Sequence, residues 1–222
     1  MIKQHQRAGG FAALIAAATV VVGLGMFAFV LSDYAIGDPV PSEAVAFLVE
    51  NEATIYVWNI ITLIVFSLVL VVAALALGER LRDGSPGLAR AGTAFGLIWA
   101  GLLIAAGMVL SIGYGTVVET YGADPVQAET VWLAVDSVGN GLSGGMEIVG
   151  PVWVLLVSIA AIAHGLLPKA LSYVGILIGA CGLLTVVPAL EDVGAVFGLG
   201  LIIWLTWIGI VMLRSEPELV DG

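Results

Sequence analysis

Apolar positions in this chain fall in long, nearly unbroken runs rather than in one-sided stripes or strict alternation. Six runs have about the length that a bilayer demands: 8–31, 54–77, 88–114, 142–163, 170–189 and 193–213. A helix rising 1.5 Å per residue needs roughly 20 apolar residues to cross the hydrocarbon, and it satisfies its own backbone there. The pattern therefore predicts an all-α, polytopic transmembrane bundle of six helices, forming a single domain over 1–222 with no linker longer than a loop. Composition sharpens the picture: 60% of residues are hydrophobic and 11% charged, more apolar surface than a soluble domain of this size hides.

Charge adds an orientation. Lys3, Arg7, Arg80, Arg82, Arg90, Lys169 and Arg214 fall at the N-terminus, in the second-to-third and fourth-to-fifth connections, or after the last run. The other three connections carry no basic residue, so the positive-inside rule places both termini in the cytoplasm, as an even number of spans requires. Lys3 and Arg7 precede the first run as they would in a cleavable signal. Its apolar core of about 24 residues exceeds the ~7–15 of a signal, and it is read as a retained helix. The net charge of −10 excludes a nucleic-acid partner. An acidic exterior can concentrate cations. A pI near 4.3 with only two lysines is read instead as the mark of a halophilic prokaryote, because a Debye length of ~3 Å at 1 M salt erases such steering. The expected location is the cell membrane, with lipids as immediate partners and a membrane protein or a homo-oligomer as further candidates.

Local signals refine the elements. Pro39, Pro41 and Ser42 as a cap predict a short surface helix in the first connection. Asp124, Pro125 and Gln127 combine a cap, a first-turn proline and a capping-box partner. The pairs Gly175/Gly179 and Gly194/Gly198, and the seam Gly92, Gly96 and Ala100, predict close helix packing. Leu88/Gly92/Gly96 and Leu171/Gly175/Gly179 repeat one spacing after a proline turn, the faint trace of a duplicated hairpin. The stretch HGLLPKALSYVGILIGACGLL, with its Gly-x-x-Pro turn and glycine-spaced helix, resembles a family of bacterial and archaeal multi-helix membrane proteins described as a domain of unknown function. The resemblance covers most of the chain, implies a six-helix bundle and supplies no activity.

Candidate chemistry concentrates in GNGLSGGMEIVGP, residues 139–151. A straight helix from Pro125 to His164 would measure about 60 Å, against ~45 Å for a whole bilayer. Four glycines and Pro151 predict that it breaks or bends between Gly139 and Pro151. Asp136, Asn140, Ser143 and Glu147 lie at helical spacings of 4, 3 and 4, and so share one face. A carboxylate at the bilayer centre costs at least ~2.5–3.5 kcal/mol, so this stripe points into the bundle, where Asn59, Tyr114 and Ser111 are its candidate neighbours. One reading is an outward-facing ion or solute site: Glu147 carries a proton, or with Ser143 and a freed carbonyl holds a small cation, in transport or sensing. The alternative is a hydrogen-bonded cluster that only fixes helix docking, in a structural or accessory membrane subunit.

An enzyme ranks third. GLSG, residues 141–144, resembles the GxSG serine motif of rhomboid proteases, but the last run lacks the histidine that such a serine needs as a base. His5 and His164 are too few for haem or zinc, and no lysine sits within a run to hold a retinal. No cofactor, metal site or catalytic residue is expected. His164 before Gly165 reads as a helix end, Pro188 as the end of the fifth helix before Glu191 and Asp192, the lone Cys181 as packing, and the tryptophans as belt and core.

Overall fold

The computed structural model describes residues 2–31, 40–144 and 148–214, with residues 2 and 3 by their backbone only. These residues are all-helical, with no strand among them. Among the described residues eight helices follow in order: α1 Ile2–Phe29, α2 Pro41–Glu50, α3 Glu52–Leu81, α4 Pro86–Tyr121, α5 Pro125–Ser143, α6 Val149–His164, α7 Lys169–Leu184 and α8 Gly194–Arg214. Helix α3 contains a π-helical stretch at Ile60–Val65, and a 3₁₀ turn at Pro188–Val193 precedes α8.

The six apolar runs divide into two kinds of helix. Four segments are long and apolar enough to cross a membrane: Gln4–Phe29, Glu52–Leu81, Pro86–Tyr121 and Pro188–Arg214. The fourth and fifth runs form α6 and α7, each of 16 residues and hence about 24 Å long, short of the ~30 Å hydrocarbon. The long helix expected from Pro125 ends at Ser143, and Gly144 takes φ +120°, a conformation open to glycine and poor for other residues. Pro151 falls in the first turn of α6, where its missing N–H removes no helical bond. Glu147 lies outside the described residues.

Other local signals resolve in detail. Asp124 caps α5, its carboxylate accepting from the Gln127 N–H at 3.0 Å with Pro125 at the first position. Gly165, at φ +63°, ends α6 after His164. Ser42 is not the cap of α2: the helix begins one residue earlier at Pro41, with Val40 at the cap position. Pro188 opens the 3₁₀ turn rather than ending α7, which stops at Leu184; Glu191 and Asp192 are exposed.

Close contacts divide the chain into two compact units. The first comprises Met1–Ala18, Leu68–Ala100 and Met146–Gly222. Its centre is aromatic: the Trp99 and Trp153 rings lie 5.9 Å apart, Trp153 and Trp204 meet edge to face at 5.4 Å, and Phe197 adjoins Trp99. Small residues permit this density. A Cβ on Gly96 would fall 2.7 Å from the Ala74 Cβ, and one on Gly150 would fall 2.7 Å from the Trp99 ring. Gly175 is pressed between Ser158 and Trp204, and Gly179 against Leu155 and the Pro151 carbonyl. The expectation for Gly194/Gly198 is corrected: Gly198 faces open space, and Gly200 instead packs against Ile178. Arg80 donates from Nε and Nη2 to the Leu166 carbonyl at 3.3 and 3.2 Å, and Ser85 pairs with His164 Nδ1 at 2.9 Å.

The second unit comprises Thr19–Ser67 and Gly101–Gly145. Helix α5 runs back along α4, since Gly113 meets Val135, Leu110 meets Gly139 and Tyr114 bonds Asp136. Helix α2 buries Ala44, Val45 and Leu48 and packs against α5. Trp58 on α3 donates to the Gly23 carbonyl at 3.0 Å and stacks near Phe27. This unit's sequence holds nine Asp and Glu residues and no Lys, Arg or His.

Candidate functional site

The polar stripe of α5 begins from its backbone. Capping by Asp124 fixes the start of the helix, and Gly139 lets the Leu110 side chain close over the helix axis, so α5 lies tight on α4. At this separation Tyr114 of α4 reaches Asp136: the phenol donates to Oδ1 at 3.0 Å, while Asn140 Nδ2, one turn on, donates to Oδ2 at 2.8 Å. Each carboxylate oxygen thus has a donor. Helix α5 is not among the apolar spans, yet partial burial pushes the Asp136 carboxyl above its ordinary range, against the opposing pull of the Tyr114 hydrogen bond.

These side chains line a cavity of about 460 Å³ within the second unit. Asn59, Tyr114, Asp136, Asn140 and Ser143 are its polar walls, and Phe27, Trp58 and Trp132 extend them with aromatic surface. Volumes of about 300–1,000 Å³ with mostly apolar walls and a few convergent polar groups are usual for small-molecule sites. Five of the six residues expected from sequence therefore border one space, and the sixth, Glu147, lies outside the described residues. Ser111 has a buried hydroxyl with no hydrogen-bond partner, but it is not among the cavity walls.

Asn59 is the exceptional group. It is 1% exposed, and neither its amide nitrogen nor its amide oxygen has a hydrogen-bond partner. A buried amide left so costs about 1–3 kcal/mol in mutational terms. It stands directly before the π-helical stretch Ile60–Val65, in which Thr62 donates to the Trp58 carbonyl at 2.7 Å; just after it, Ser67 donates to the Leu63 carbonyl. Such i→i+5 turns are rare and frequent at functional sites, because they re-aim the side chains that follow. The sequence IITLIV gives no sign of it: a run of branched apolar residues is compatible with an ordinary buried helix. The aromatic walls were hidden for a similar reason, since tryptophan at a helix end reads equally well as interfacial belt.

Ser143 borders the same cavity. Among the described residues no three His, Cys, Asp or Glu side chains group to hold a metal ion.

Residues 10–209 match the family described as "Domain of unknown function (DUF4386)", and the chain belongs to it. The match does not extend the GLSG likeness to rhomboid proteases. No curated protein and no solved structure matches the chain.

Proposed function

We propose that this member of the DUF4386 family is a multi-pass membrane protein that takes up a small solute or ion in the cavity of its second unit, for transport or sensing and without catalysing a reaction. Asn59 carries the reading. A fully buried amide with no partner, bordering a cavity that also gathers Tyr114, Asp136, Asn140 and Ser143, is poor scaffolding and good recognition chemistry. In the same proposal α6 and α7 complete a six-span arrangement with both termini cytoplasmic, as the placement of Lys and Arg suggests. The cavity then opens to the exterior, and large exposed apolar residues such as Phe11, Leu68, Ile112, Leu177 and Ile203 face lipid.

The test is flux into proteoliposomes of protons, sodium and small organic solutes, with melting temperature followed alongside. Wild type is compared with Asn59→Leu at matched folded amounts. A solute that moves or stabilises wild type and loses at least about tenfold of that effect in Asn59→Leu, a difference of about 1.4 kcal/mol, supports the proposal. Stabilisation without flux favours sensing.

One observation favours a second reading. Both Asp136 oxygens are satisfied from within the protein, as in a cluster whose task is to dock α5 on α4 in an accessory subunit. That reading gains if no solute moves or stabilises the protein and Asp136→Ala chiefly lowers the melting temperature.

A further inference from the structure

Resting on the reading that this cavity binds a small solute, we propose that its ligand is an organic cation, a substituted ammonium carrying an apolar body. Asp136 is the one charged side chain among the described cavity walls, and the described residues of the second unit include seven acids and no Lys, Arg or His. An anion would meet no counter-charge among the described walls, and a wholly apolar guest would leave the Asp136 charge without one and the bordering Asn59 amide without a partner. A bare metal ion fits no better. Hard cations take about six to eight oxygen ligands at short range, whereas no three metal-ligating side chains group among the described residues and most of the wall is hydrocarbon.

An ammonium with an apolar body answers each part of the wall. Phe27, Trp58, Tyr114 and Trp132 supply the aromatic surface on which such cations are held by the ring quadrupole, a contribution of about 0.5–2 kcal/mol per well-placed ring. Asp136 supplies charge, and its oxygens retain lone pairs beyond those used by Tyr114 and Asn140. The Asn59 oxygen supplies an acceptor for an ammonium N–H. The hydrocarbon of Leu31, Ile55 and Leu63 then surrounds the body.

The test uses the full chain in phosphatidylglycerol nanodiscs and three probes that share one ring: benzylammonium, benzyl alcohol and benzoate. Titration calorimetry is expected to show benzylammonium binding at least about tenfold more tightly than benzyl alcohol, with benzoate weakest. Asp136→Asn keeps the side-chain shape; it should bring benzylammonium down to the affinity of benzyl alcohol and leave benzyl alcohol within about twofold. Should that variant fail to fold, Asn59→Leu serves, with a loss of at least about tenfold for benzylammonium expected.

Equal affinity for the cation and the alcohol overturns the cation assignment while leaving a solute cavity in place. Binding of none of the three overturns the assignment and the solute reading together. Benzylammonium binding indifferent to both substitutions places its site elsewhere and also overturns it. A parallel series in phosphatidylcholine discs separates sources of the same chemistry: suppression of benzylammonium binding there identifies a lipid headgroup as the natural ammonium, and unchanged binding identifies a free solute.

Discussion

Asn59 and Asp136 occupy one cavity wall and obey opposite energetics. Because the Asn59 amide has no partner, replacing it with leucine, which has the same branching and no polar atom, removes a desolvation penalty. Asn59→Leu is therefore expected to raise stability by about 1–3 kcal/mol in solute-free protein, read from thermal unfolding in detergent, while weakening solute binding at least about tenfold. Loss of both stability and binding would mean that the amide is structural. Asp136 has a folded-state carboxyl raised above the ordinary 3.8, so the folded chain holds this proton more tightly than the unfolded one. Its contribution is fully present below the unfolded value and is lost as pH rises from there through the raised one. Melting temperatures across that acidic window should fall with rising pH in wild type more than in Asp136→Asn. The polar half of this cavity was readable beforehand, because spacings of 4 and 3 align Asp136, Asn140 and Ser143 on any helix. Its aromatic half was not, because nothing in one sequence tells Trp58 and Trp132 apart from belt residues.

At the scale of the element, caps and glycines were the most legible features, since their physics is local. Asp124→Ala should cost about 0.5–2 kcal/mol through loss of the bond to the Gln127 N–H. Gly165→Ala should cost about 1–2 kcal/mol through its left-handed φ of +63°. Both are measurable by denaturant unfolding. Gly175→Ala should cost more than ordinary helix propensity returns, about 1–3 kcal/mol, because Ser158 and Trp204 leave its side chain no room. Gly198 matched the same motif and packs against nothing, which shows the limit of reading spacing without knowing which face meets a neighbour. The break after Ser143 was visible as a cluster of helix-weakening residues. The π-helical turns of α3 left no compositional mark, and the early stop of α7 at Leu184 was masked by apolar residues that continue beyond it.

At the scale of the whole molecule, hydropathy carried the all-helical architecture, while the number of crossings depends on two 16-residue helices that hydropathy alone overestimates. The proposed orientation makes a direct prediction. In a Cys181→Ala background, a cysteine at Glu119 should react with an impermeant maleimide from outside intact cells, and one at Arg82 only after permeabilisation; the reverse pattern would invert the topology. The distribution of indoles has a different consequence. Trp99, Trp153 and Trp204 sit 5.4–5.9 Å from one another in sequence of contact within the first unit, whereas Trp58 and Trp132 border the cavity of the second. The chain thus carries two separate optical reporters. Filling the cavity should quench or shift emission while the near-ultraviolet circular dichroism of the coupled indoles stays constant. Loosening of the first unit should erase that dichroism first, so one unlabelled sample distinguishes occupancy from unfolding.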